Sequence, residues 1–233
     1  DITPYITLTE YQCIERTRLT MTAIGLLSDV HATPAPVEEA LTIFQQSGVE
    51  LVLCAGDIAG YGNQLELTIR LLMESKCQCI LGNHDLSFLD RHANDLENCS
   101  AKFLKQLPPS LDHAIAGKRL HMVHAQPPDA FHGGIKLLNR EGEVESDRVA
   151  DWTHRLDVLD CDVLIVGHTH QVFVQQMGSI LVVNPGSSVF NHSCAILQLP
   201  EMIVELFPLS GKRIERTWNW GEHVIARGAS DRE

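Results

Sequence analysis

Short apolar runs recur along the first half of the chain, each followed by a polar turn and a stretch of helical period. Residues 23–28, 51–55 and 77–81 are such runs, bounded by Gly, Asp or Asn. They are too short for helices and read as buried strands. After the first, Thr33 offers an N-cap, Pro34 and Pro36 suit a helix start, and Val37, Ala40, Leu41 and Phe44 share one helical face that Gly48 closes. After the second, Gly60-Tyr61-Gly62 reads as a loop, and Asn63 caps a helix carrying Leu65, Ile69 and Leu72. A third helix follows the third run. This alternation predicts a largely parallel sheet with helices outside it.

The rhythm changes after Pro108-Pro109. Residues 111–116 and 119–125 read as an antiparallel hairpin turning at Gly117-Lys118. Residues 126–145 are polar and rich in turn formers, and read as a long loop; 146–157 read as a helix. Residues 162–166, 172–177, 180–183, 195–199 and 203–207 then read as successive strands. That many strands beside so few helices crowd one sheet. Two stacked sheets with helices on their outer faces fit better, and the carboxyl ends of the strands then form the ligand crevice.

Composition narrows the class. With 233 residues, 44% hydrophobic and 21% charged, the chain is long enough for one domain with a full core, and is neither disordered nor fibrous. No run approaches a membrane span. The first twenty residues lack the apolar stretch of a secretory signal and read as an extension. Residues 21–210 form the domain, and 211–233 a polar tail in which Trp218 and Trp220 are placed to dock back. The net charge of −12 argues against wrapping duplex nucleic acid, although two divalent cations set against two carboxylates would leave a positive pit. Seven cysteines, an odd number with several in strand-like runs, predict reduced thiols and a cytoplasmic setting. Cys77-Gln78-Cys79 lacks the spacing and the second pair of a metal clip.

The chemistry lies where strands end. In order come Asp29-Val30-His31, Gly56-Asp57, Gly82-Asn83-His84-Asp85, His124 and Gly167-His168-Thr169-His170, followed by Asn184-Pro185-Gly186-Ser187. Asp29 and His31, two apart in extended backbone, point to one face and converge on a point, and His168 and His170 repeat the spacing. Asp57 stands alone and suits a carboxylate bridging two cations; Asn83 offers a neutral amide oxygen and His124 a further imidazole. Four imidazoles, two carboxylates and one amide suit manganese first, then iron, zinc, nickel or cobalt, better than magnesium or calcium. A close cation pair clamps both oxygens of a phosphoryl displacement and activates a water. A proton donor for the leaving alkoxide remains to be found, and His84 is beside Asn83 without being needed as a ligand.

This ordered set resembles the calcineurin-like metallophosphoesterase superfamily, in particular its small single-domain prokaryotic phosphodiesterases. The resemblance runs from Met21 to Phe207. It implies a four-layer αββα sandwich. It also implies one metal site of Asp29, His31, Asp57 and His170, a second of Asp57, Asn83, His124 and His168, and His84 as general acid. The Asn184-Pro185-Gly186-Ser187 turn is similar to one in the small members, and equally to a plain tight turn. The superfamily's Ser/Thr protein phosphatases carry Asp and Arg just after the Gly-Asp motif; residues 58–62 here carry neither. Without that bidentate clamp a diester is favoured over a phosphoprotein. His132, Lys136 and Arg140, on the long loop, are candidate substrate contacts. The expected activity is hydrolysis of a small or nucleotide-type phosphate ester by a metal-bound hydroxide. Its alternatives are a dinucleoside polyphosphate hydrolase, a phosphomonoesterase, and a silent scaffold similar to the retromer subunit of this fold.

Overall fold

Ten strands and five helices make up the computed structural model, which describes residues 21–95 and 97–218. The proposed extension 1–20, with Cys13, and Trp220 lie outside the described residues. In chain order the elements are β1 (Thr22–Leu27), α1 (Pro34–Gln46), β2 (Leu51–Cys54), α2 (Leu65–Glu74), β3 (Gln78–Cys79), α3 (Asn83–Arg91) and α4 (Cys99–Leu104). There follow β4 (Ser110–Ile115), β5 (Lys118–Val123), α5 (Ser146–Leu156), β6 (Val163–Ile165), β7 (Phe173–Met177), β8 (Ile180–Asn184), β9 (Ser193–Leu199) and β10 (Ile203–Pro208).

The strands form two five-stranded mixed sheets, ordered β10-β9-β1-β2-β3 and β4-β5-β6-β8-β7. In the first sheet β1, β2 and β3 run parallel as far as one edge, with β9 and β10 antiparallel beyond β1; in the second, β5-β6-β8 form a parallel centre with β4 and β7 antiparallel outside it. Alternation along the strands decides the layers. Ile24, Leu26 and Leu53 of one sheet meet Leu120, Met122, Val163, Ile165 and Val183 of the other in a shared core. Leu27 and Cys54, facing the other way, pack under α1 and α2 against Val37, Phe44 and Leu72. Leu164 and Val182 face outward from the second sheet onto Trp152 and Leu156 of α5. The result is the four-layer αββα sandwich.

Local readings shift by a residue or two. The hairpin turns at Ala116-Gly117 rather than Gly117-Lys118, because Ile115 already pairs with Lys118 and both turn residues take positive φ (49° and 74°). Such a turn matches strand twist. The second helix starts after Gln64, not Asn63; Thr33 does hold the N-cap position of α1, but its hydroxyl donates to His31 O (3.0 Å) and makes no cap bond. The long loop is less polar than it reads. Ile135, Leu137 and Leu138 are buried against the outer face of the second sheet. This fastens the loop beside the strand ends.

Candidate metal centre

All the expected ligands sit just past a strand, at the same end of the sandwich. Asp29 and His31 follow β1, Asp57 follows β2, Asn83 opens α3 just after β3, His124 follows β5, and His168 and His170 follow β6. Backbone bonds stitch the turns together. Asp29 N–H donates to Gly56 O (3.0 Å), His31 N–H to Asp57 O (3.0 Å) and Gly167 N–H to His124 O (2.8 Å).

The backbone there is not extended. Asp29, His31, Asp57, His168 and His170 have φ of 52°, 43°, 54°, 64° and 48°. Left-handed non-glycine residues cost about 1–3 kcal/mol each and persist where the surroundings hold them. Asp29 and His31 therefore converge through a turn, not through the pleat that their spacing suggested. His168 and His170 do not converge on one point. They divide between two groups.

Asp29, His31 and His170 each place a ligand atom within 4.8 Å of the others, as do Asp57, His124 and His168. A third group of the same span joins His31, Asp57 and His84, so Asp57 lies between the first two. Asn83 Oδ1 is 3.0 Å from His124 Nε2 and 2.9 Å from His168 Nδ1. His31 Nδ1 lies 3.2 Å from Ala59 O and His124 Nδ1 2.7 Å from Ala55 O. Carbonyl oxygens only accept, so these nitrogens carry the protons and the Nε2 lone pairs face the cluster.

Those lone pairs meet other electron-rich atoms. His31 Nε2 is 3.2 Å from His170 Nε2, and His124 Nε2 faces the Asn83 oxygen. Asp29 Oδ2 accepts from Ser28 Oγ (2.5 Å) and His168 N–H (3.0 Å). Asp29 Oδ1, fully buried, has no hydrogen-bond partner, although His170 Nε2 stands 3.3 Å away. Converging acceptors and an orphaned carboxylate oxygen are what a pair of divalent cations would satisfy. The donor set fits such a pair.

The protonation pattern agrees. Burial pushes His31 down to about 4, against the pull of Asp29. Burial and then the charge of His124 push His168 down to about 4. Both rings are neutral ligands near pH 7. His124 departs from this pattern: burial opposes a charge on it too, but Asp57, 3.3 Å away, outweighs burial and raises the ring to about 9, so a cation at Nε2 would have to displace a proton. Burial would also protonate Asp29 and Asp57, yet the imidazoles around them hold both carboxylates below their ordinary range.

A tier of residues that sequence reasoning undervalued holds these groups in place. Asp85 is buried and accepts from Ala59 N–H (2.7 Å) and Gly82 N–H (2.9 Å); burial, then Asp57, raises it to about 7. The Asn184-Pro185-Gly186-Ser187 turn is more than a tight turn. Asn184 Nδ2 donates to Gly167 O (3.0 Å), and Ser187 Oγ to Asp29 O (2.7 Å). Asn191 Nδ2 donates to His170 O (2.9 Å) and Glu215 O (2.7 Å), and its Oδ1 accepts from Ser187 N–H (2.8 Å). Two motif glycines are there for space. A Cβ on Gly82 would stand 2.1 Å from Asp57 Oδ1, and one on Gly167 would stand 1.9 Å from Ser28 Oγ.

Beside the cluster lies a cavity of about 450 Å³ whose lining includes Asp57, Asn83, His84 and His168. His84 is half-buried; its ring is 5.0 Å from that of His31, and its N–H donates to Asp57 Oδ1 (2.8 Å). Lys136 and Arg140 also line this cavity. His132 does not, standing exposed with its ring 6.2 Å from that of His168. Tyr61, Arg148 and Trp218 also line the cavity; of these the sequence marked only Trp218, as a residue placed to dock back. Arg148 is held by Glu145 and by Leu138 O (2.9 Å).

Residues 22–200 match the calcineurin-like phosphoesterase superfamily domain. The chain belongs to that superfamily. The chain is a metal-dependent hydrolase of phosphoric esters. It is 28% identical over 166 residues to a probable metallophosphoesterase of Methanothermobacter thermautotrophicus, covering 70% of this chain and 76% of the relative. It is 26% identical over 180 residues to the protein MJ0912 of Methanocaldococcus jannaschii, covering 70% and 68%. The solved metallophosphoesterase of Sphaerobacter thermophilus superposes with a TM-score of 0.60 at 19% identity over 90% of this chain and 95% of the other, and so shares the fold. Among the described residues no helix is long and apolar enough to cross a membrane.

Proposed function

We propose that the chain is a two-metal phosphodiesterase acting on a small or nucleotide-type phosphate ester. Asp29, His31, Asp57 and His170 hold one cation; Asp57, Asn83, His124 and His168 hold the other. The observation that carries this reading is that Asp57 shares one ligand group with His124 and His168 and another with His31, which is itself grouped with His170 and with Asp29, whose buried Oδ1 is unsatisfied. When bound, such a pair of cations lowers the pKa of water and neutralises phosphoryl charge. The chain's own part is positional. Asp57 is fixed by the His84 N–H, and the turns after β1 and β6 aim the imidazoles inward. His84, in the cavity wall, protonates the departing alkoxide, and Lys136 and Arg140 receive the ester's free oxygens. His132, on the same loop but off the cavity, is left to guide substrate from outside.

The mixed nitrogen and oxygen donors support manganese as the native ion. The buried free thiols Cys54, Cys79, Cys161 and Cys194 support a reducing, cytoplasmic setting. A second reading, phosphomonoesterase or dinucleoside polyphosphate hydrolase, draws on Lys136 and Arg140, which bring to the cavity the cations that residues 58–62 lack. Hydrolysis of bis-p-nitrophenyl phosphate and p-nitrophenyl phosphate with Mn²⁺, Fe²⁺, Zn²⁺, Ni²⁺ and Mg²⁺ separates them. The diester is expected to be the better substrate, with Mn²⁺ the best ion. His84→Ala is expected to lose about 10²–10⁴-fold in kcat while keeping its metal. Full activity of that variant sinks the general-acid assignment.

A further inference from the structure

A buried serine separates the end of β1 from the first expected ligand. Ser28 and Asp29 are both fully buried. The Ser28 hydroxyl has one proton to give, and it donates to Asp29 Oδ2 (2.5 Å). The His168 N–H donates to the same oxygen (3.0 Å). Asp29 Oδ1 stands 3.3 Å from His170 Nε2 and 4.0 Å from His31 Nε2, and has no hydrogen-bond partner. The two oxygens of one carboxylate thus have opposite surroundings. The main chain beside them is pinned as well. Asp29 N–H donates to Gly56 O (3.0 Å), Asp29 O accepts from Ser187 Oγ (2.7 Å), and Ser28 O accepts from Ser188 N–H (3.3 Å). Gly167 leaves room for the pair, since a Cβ there would stand 1.9 Å from Ser28 Oγ and 2.7 Å from Asp29 Oδ2.

We infer that Ser28 is a positioning residue that, with the His168 N–H, ties up one oxygen of Asp29 and presents the other as a single-point metal ligand, so that the centre discriminates against ions that draw on both oxygens of a carboxylate. The inference rests on the two-metal reading above and adds how the site of Asp29, His31, Asp57 and His170 chooses its ion. Calcium gathers about 6–8 oxygens and readily takes carboxylates through both. Two imidazoles and a carboxylate with one oxygen already engaged are poor material for that shell. A transition-metal ion is content with the imidazoles and a single oxygen. Hydrogen bonds that orient a metal's ligands are worth about 10–100-fold in affinity. Ser188 supplies the contrast. It is as buried as Ser28, yet its hydroxyl has no hydrogen-bond partner.

The test loads the full-length protein with Mn²⁺ and follows released ion by electron paramagnetic resonance, on dilution and then on addition of Ca²⁺. Ser28→Ala is expected to hold Mn²⁺ about 10–100-fold less tightly. The ratio of Ca²⁺ to Mn²⁺ that frees one of the two ions is expected to fall at least about tenfold in that variant. Ser28→Cys, whose thiol fills the space but donates weakly, falls between Ser28→Ala and the wild type. Ser188→Ala keeps both wild-type values. A site merely loosened by lost packing weakens both ions alike, so an unchanged ratio in Ser28→Ala overturns the inference. Wild-type retention of Mn²⁺ by that variant does so too, as does an equal shift in Ser188→Ala. Should Ser28→Ala fail to fold, Ser28→Cys decides by the same ratio. A wild-type protein that retains no Mn²⁺ removes the two-metal reading itself, and the inference with it.

Discussion

Asp57 shows how much one side chain settles. It belongs to two of the three ligand groups, and its oxygen also accepts from the His84 backbone N–H. Asp57→Asn preserves that hydrogen bond and removes the charge. Elemental analysis is expected to find both ions lost or bound at least tenfold more weakly; wild-type metal content would refute the bridging role. The ligand residues were legible because Asp, Asn and His stand at strand ends where a purely structural chain has no use for them. The supporting roles of Asp85 and Asn191 were not, since they act on backbone groups of other turns, Ala59 N–H and His170 O among them, which residue type does not reveal. The cysteines answer to burial. It raises Cys161 to about 11 and Cys194 to about 12, so both stay protonated at pH 8 and cannot act as nucleophilic thiolates. Iodoacetamide at pH 8, read by mass spectrometry, is expected to label exposed Cys99 in the native protein, and Cys161 and Cys194 only after unfolding.

The elements were read more securely than their joints. Strand identity follows from apolar runs, because β6 and β8 are buried along their whole length. The pairing order, with β9 and β10 returning beside β1, depends on contacts between residues some 170 apart and leaves no local mark. The left-handed backbone at the site was equally hidden, because Asp and His give no warning of it. Something must hold those turns, and the loop after β8 does so. Asn191→Ala strands the Ser187 N–H and the Glu215 carbonyl, and takes one of the two donors from His170 O. Unmet buried groups cost about 1–3 kcal/mol each. Urea titration is expected to show a loss of about 2–4 kcal/mol, together with weaker metal binding. A change below about 0.5 kcal/mol would show that the loop does not hold the centre.

At the scale of the whole molecule, the proposed cation sites of this acidic chain lie at the end of a two-sheet seam. Asp29, Asp57 and Asn83 come from the first sheet, and His124, His168 and His170 from the second. Binding of ions to the folded state alone stabilises it by about 2.7 kcal/mol when their concentration is a hundred times Kd. For a domain of this size that is about 5–10 °C in Tm. Differential scanning calorimetry with saturating Mn²⁺ and then with EDTA is expected to show this gap, and identical curves would contradict the site.

Since each centre draws on both halves of the sandwich, the two ends of the molecule are fastened by different means. At the carboxyl ends of β1, β2, β5 and β6 the proposed ions would rivet the halves together. At the opposite end, where Thr22, Leu51 and Lys118 begin their strands, the described residues of the two halves meet in apolar contact. Fraying is therefore expected to start at the blunt end, away from the chemistry, and the jaw that works on substrate is the last part to open.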